Sequence, residues 1–145
     1  MNPDEERSAR LRKLGLIPTI QRLAVLEYLD ETDEHPTAEK IYAAIRERFP
    51  TISRATVYNT LDLLTKSEAI VRLTIDPAAS RYDAVDSAHA HFFCRICHKV
   101  YDIALPEIGP LPSEIDGHKI EAVQTYVYGI CAECRNKLRK EEDDA

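Results

Sequence analysis

The 145-residue sequence predicts an α+β chain in two parts: a helical first half closing in a β-hairpin, and a strand-rich second half held by four cysteines. Three observations carry this reading. Apolar residues recur at helical spacing behind Asn, Thr and Ser caps up to residue 66. Two β-prone runs then flank a proline-containing turn in "IVRLTIDPAASRYDAV". Beyond them, two Cys-x-x-Cys pairs follow strand-like runs, 33 residues apart.

The elements follow in order. Residues 3–14 start after Asn2-Pro3 and stop at Gly15, a proline-in, glycine-out helix. "PTIQRLAVLEYLDE" places Ile20, Leu23, Ala24, Leu26 and Tyr28 at helical spacing behind Thr19. A third helix runs from Thr37, with Ile41, Ala44 and Ile45 on one face, and ends before Pro50. A fourth is capped by Ser53, with Val57, Leu61 and Leu64 turned inward. Short helices followed by a two-stranded wing are the plan of a winged helix-turn-helix. In the second half, "AHFFC", "KVYDIAL" and "HKIEAVQTYVYGI" read as strands and "CAECRNKLRKEEDDA" as a short helix with an acidic tail. Pro106, Gly109, Pro110 and Pro112 leave room only for a short or broken helix between the second and third strands. The expected division is a winged-helix domain over 1–83, a hinge over 84–88 and a metal-binding domain over 89–145.

Composition narrows the function. The N-terminus is charged without an apolar core, and no apolar run approaches the roughly 20 residues of a membrane span. A cytoplasmic protein with no membrane partner is expected, and reduced thiols with it. The net charge of −6 argues at first against nucleic acid, but it is uneven. Residues 1–82 carry 12 Lys+Arg and 13 Asp+Glu, net −1; residues 83–145 carry 7 and 12, net −5. If DNA is bound, the first half is the better candidate, with its basic residues gathered on one surface; net charge alone decides nothing.

The stretch "HAHFFCRICHKVYD" concentrates metal-binding side chains. Cys94 and Cys97 with Cys131 and Cys134 form two knuckles, which suits a tetrahedral structural zinc with no position open for water. On a strand, His89, His91 and Phe93 share one face while Ala90, Phe92 and Cys94 share the other. The histidines therefore belong to a different site from the cysteines. Asp83, Asp102 and His35 are the residues that could join them. Mixed nitrogen and oxygen donors favour iron, manganese or zinc. Taken singly, each is more often a solvated charge than a ligand.

With these residues in view, the strings "IPTIQRLAVLEYL", "HPTAEKIY", "ISRATVYNTLDLL", "RYD", "HAHFFCRIC", "KVYDI" and "YGICAEC" resemble, in this order, the ferric-uptake-regulator family of bacterial metalloregulators. The resemblance spans roughly residues 10–138. It implies a homodimeric repressor with an N-terminal winged helix-turn-helix domain and a small α/β dimerisation domain carrying the four-cysteine zinc site. It also implies regulatory Fe(2+) or Mn(2+) on His35, Asp83, His89, His91 and Asp102. Asp102 and Asn59, where iron sensors commonly carry glutamate and arginine, favour the peroxide-responsive branch. In that branch iron-catalysed oxidation of His35 or His89 would release a palindromic operator, whereas an iron- or manganese-responsive repressor without peroxide sensing is the alternative.

Two departures from the family pattern stand out. His98 occupies a knuckle position that wants a positive φ. Residues 121–125 lack the histidine of a further metal site, and His118 reads as a surface residue. For DNA, the helix over 54–66 offers Arg54, Tyr58 and Asn59, with Arg10, Arg12, Lys13 and Arg22 as phosphate contacts. A zinc-ribbon partner module would explain the cysteines but not "ATVYNTL" beside "HPTAEKIY". A metalloenzyme would need a general base or substrate loop that the sequence does not show, so no enzymatic activity is expected.

Overall fold

The computed structural model describes residues 2–85, 90–106 and 111–143. The chain divides into two compact units, Met1–Asp86 and Ser87–Ala145.

In the first unit the helices are α1 (Pro3–Lys13), α2 (Ile20–Glu31), α3 (Ala38–Arg48) and α4 (Arg54–Lys66), followed by β1 (Ile70–Leu73) and β2 (Arg81–Ala84). Each helix begins on a side chain that accepts from an otherwise unpaired amide. Asn2 accepts from Glu5 N at 2.8 Å, Thr19 from Arg22 N at 3.3 Å, Thr37 from Lys40 N at 3.3 Å and Ser53 from Thr56 N at 3.0 Å. α1 ends as its glycine required. Gly15 takes φ +78°, and Leu16 N returns to Leu11 O at 2.9 Å. Leu11, Leu26, Ile41, Leu61 and Leu64 are essentially fully buried at the centre of the core, with Ile70 and Tyr82 of the hairpin closing it. Ile20 lies in its expected helix and is 63% exposed. It opens α2, beyond the reach of the core, and the buried face is completed by Val25 and Leu29.

β1 and β2 form an antiparallel hairpin that pairs Val71 with Asp83 and Leu73 with Arg81. A bridge between Thr37 and Arg81, and a bond from Tyr82 N to Pro36 O at 2.9 Å, tie β2 to the segment before α3.

The second unit contains β3 (Ala90–Cys94), β4 (Val100–Ile103), β5 (Glu114–Ile115), β6 (His118–Lys119), β7 (Tyr126–Gly129) and α5 (Ala132–Asp143). Its sheet runs in the order β4-β3-β7, with β4 antiparallel and β7 parallel to β3. The long strand expected over 118–130 is instead two short ones, separated by irregular residues 120–125. β6 pairs only with β5, across Asp116 and Gly117, both at positive φ. That is the tight Asp-Gly hairpin turn, and it turns the chain back after two residues. No helix stands between β4 and β5 among the described residues, and 107–110 lie outside them. His118 is exposed, as expected.

Candidate functional site

The four cysteines meet in one cluster. Cys94 ends β3, Cys97 lies on the turn after it, Cys131 precedes α5 and Cys134 sits in its first turn. All four Sγ atoms lie within 4.8 Å of one another, and Cys97 Sγ is 3.8 Å from Cys131 Sγ. Zinc–sulfur bonds of about 2.3 Å set a tetrahedron edge of about 3.8 Å, so this spacing fits the ion. The knuckle closes through His98 N to Cys94 O at 2.9 Å, with His98 at φ +62°. The histidine accepts that strain and stacks on Phe93 at 5.7 Å.

The charges of the cluster call for a cation. Burial pushes the Cys94 thiol up, but backbone amides of Cys131, Cys97 and Ile96 outweigh it and bring it down to about 6. The Tyr101 hydroxyl lowers Cys131. Cys134 is driven the other way, to about 12, by burial and then by its neighbouring thiols. Four thiolates cannot share this volume unaided, and a divalent ion removes the conflict. Phe92, Tyr101 and Ile130 wall the cluster.

The histidines and aspartates form two pairs, one in each unit. In the first, His35 is 2% exposed at φ +51°, and its Nε2 lies 3.1 Å from Asp83 Oδ2. The neighbouring Arg81 Nη1 donates to the His35 carbonyl at 3.1 Å. In the second, His91 stands directly opposite Asp102 across the β3–β4 ladder, and its Nε2 is 3.1 Å from Asp102 Oδ1. Phe92 opposes Tyr101, which walls the cysteines, so the His91–Asp102 pair faces away from the thiol cluster. Metal bonds of about 2.1 Å to nitrogen or oxygen place right-angled ligands about 3.0 Å apart, and both pairs have that spacing. His89 lies outside the described residues, as do residues 86–88 of the expected hinge.

On α4, Asn59 is exposed, while Arg54 and Tyr58 both engage Glu39 of α3. Tyr58 donates its hydroxyl proton at 3.2 Å, and the Arg54 guanidinium lies 4.7 Å from the centre of the Tyr42 ring. Arg12 and Lys13 are exposed on the last turn of α1. Arg22 donates to Ile17 O at 2.8 Å, and Arg10 pairs with Asp30 at 3.1 Å, so both also hold structure. Glu39 and Arg81 were missed in the sequence. Arg81 had a signal, since it shares a strand face with Asp83; Glu39 had none.

Four helices and a wing in one unit, with clustered metal donors in the other, define a metal-dependent DNA-binding regulator. Residues 13–128 match the ferric uptake regulator family. The chain is 40% identical to the peroxide operon regulator of Bacillus subtilis over 88% of its own length and 90% of the relative's. It is 35% identical to the peroxide-responsive repressor PerR of Staphylococcus epidermidis, over 92% and 91%. Among solved structures, the ferric uptake regulator of Helicobacter pylori superposes with a TM-score of 0.73 at 26% identity, covering 92% of this chain and 95% of that one. PerR from Streptococcus pyogenes superposes with a TM-score of 0.52 at 31% identity, covering 92% and 94%. The chain belongs to the ferric uptake regulator family. It is a metal-dependent transcriptional repressor rather than an enzyme, and repressors of this family bind DNA as dimers. No helix among the described residues is long and apolar enough to cross a membrane.

Proposed function

We propose that this protein is a cytoplasmic peroxide sensor that releases a palindromic operator when a ligand histidine is oxidised. The donor set carries the reading: His35 with Asp83, and His91 with Asp102, each at metal-ligand spacing. Together with His89 they would hold one Fe(2+) or Mn(2+), while Cys94, Cys97, Cys131 and Cys134 hold Zn(2+). The resemblance to peroxide-responsive repressors supports the sensing step.

Asp83 and His91 bracket the 84–88 hinge in sequence. Residues on both sides of it that share an ion fix the angle between a 1–83 DNA-binding domain and an 89–145 dimerisation domain. The two recognition helices of a symmetric dimer then match successive major grooves. Arg54 and Asn59 donate to bases or phosphates, Tyr58 stacks on a thymine methyl, and Arg12, Lys13 and Arg22 meet phosphates. Iron(II), when bound, supplies the electron transfer that activates peroxide beside the imidazoles. In the net reaction a ring C–H of His35 or His89 becomes C–OH, and peroxide is reduced to water. The ring loses two electrons and with them its strength as a donor. Asp83 and His91 are then no longer tied together, and the domains reorient. The cysteines, saturated by zinc, take no part.

The test loads the protein with iron(II) without oxygen, adds stoichiometric peroxide, and follows operator binding and peptide masses on one sample. One added oxygen on the His35 or His89 peptide, with binding lost and zinc retained, is the expected result. Unmodified histidines, with repression still reversed by a chelator, would leave an iron- or manganese-responsive repressor without peroxide sensing.

A further inference from the structure

The hairpin does more for His35 than bring Asp83 to its ring. Arg81, two residues earlier on the same face of β2, spans the wing and the His35 backbone. Its Nε and Nη2 bind Asp76 Oδ2 at 3.0 and 2.9 Å, and its Nη1 donates to the His35 carbonyl at 3.1 Å. The other oxygen of Asp76 accepts from Ala78 N at 2.9 Å and so closes the turn between β1 and β2. The pair is sheltered, with side-chain exposures of 14% for Arg81 and 9% for Asp76. His35 meanwhile sits at φ +51°, a region that a residue with a Cβ enters only when its surroundings hold it there.

We propose that Arg81 and Asp76 form a brace that positions His35 and couples the wing turn to the regulatory metal. Every link is a short bond from a charged or backbone group: Ala78 amide, Asp76, Arg81, His35 carbonyl. Coupling of this kind is reciprocal, so what stiffens the His35 end stiffens the wing end. A repressor that reads metal through a domain angle would thereby also present a firmer wing to DNA. The idea rests on the reading of His35 as a metal ligand. The backbone pairing of β2 with the 35–37 segment does not involve the Arg81 side chain, so that local fold survives its replacement.

The experiment uses the zinc-containing full chain and titrates Mn(II) by its electron paramagnetic resonance signal. Wild type is compared with Arg81→Gln, the milder Asp76→Asn, and His35→Ala. Amide exchange of the peptide covering Ala78 is followed with and without saturating Mn(II). In wild type, Mn(II) should slow that exchange. Arg81→Gln and Asp76→Asn should bind Mn(II) about 10- to 100-fold more weakly, the usual loss when a residue supporting a metal ligand is removed. At saturation their wing exchange should no longer respond to the metal. Wild-type Mn(II) affinity and an unaltered wing response in both variants would overturn the brace. Should His35→Ala bind Mn(II) as wild type does, the ligand reading falls and the brace with it. Loss of binding in His35→Ala alone would remove only the brace.

Discussion

Glu39→Gln is expected to tighten DNA binding and to cost selectivity. Glu39 contacts the Arg54 guanidinium and accepts from Tyr58 at 3.2 Å, so one carboxylate occupies two residues of the reading helix. For Arg54 to reach a phosphate or a base it must leave Glu39, or bring that negative charge to the DNA. The two side chains are 54% and 55% exposed, which places the pair in the solvent-screened class worth ~0.2–1 kcal/mol. Glutamine keeps the shape and can still accept from Tyr58, so the change isolates the charge. A dimer carries two such pairs, and release of both corresponds to about 2- to 30-fold tighter binding. Each freed arginine that gains a phosphate steepens the salt dependence by about 0.9, or about 1.8 per dimer. Non-cognate DNA, which offers phosphates but no matching bases, should gain more than the operator does. Fluorescence anisotropy of the Mn(II)-loaded protein on operator and scrambled duplexes, across a salt series, measures all three quantities. Equal or weaker binding with an unchanged salt slope would refute the reasoning, because Glu39 would then orient Arg54 for DNA rather than withhold it.

Other outcomes follow from the core and the thiol cluster. Leu61→Ala, at a fully buried position, should destabilise the first unit by about 2–5 kcal/mol in thermal unfolding while zinc content stays unchanged. Cys134→Ser should release zinc to a chelator that leaves the wild type loaded, and the second unit should lose its thermal protection by zinc. Proton release on zinc uptake should depend on pH with a defined sign. Cys134, pushed up to about 12, must give up a proton throughout the neutral range, whereas Cys94, held at about 6, contributes a further proton only as pH falls through that value. Indicator-dye titration of the reduced, zinc-free protein should therefore show more protons released below pH ~6 than at neutral pH, and the reverse order would contradict the assignment.

Local features were legible in advance where local chemistry dictates them. Asn2, Thr19, Thr37 and Ser53 announce helix starts because a short oxygen-bearing side chain is what satisfies the first free amides. His98 at positive φ followed from its place in the knuckle. The misreading was also local. The run 118–130 was read as one strand although Asp116-Gly117 forces a tight turn that leaves β6 only a short partner.

By itself, the sequence determined which residue types are available, and at what spacing. The paired knuckles have the donors for zinc, and the alternation of β3 separates His91 from Cys94, because period and parity are properties of a single stretch of backbone. Tertiary structure decided who meets whom. Asp102 stands opposite His91 because the knuckle sets the β3–β4 register, and Asp83 reaches His35 because β2 is tied to the 35–37 segment. The ties of Arg81 to the His35 carbonyl and of Glu39 to Arg54 arise in the same way. Such contacts join segments far apart in the chain. Their geometry depends on strand register and core packing, which no local pattern of residues encodes.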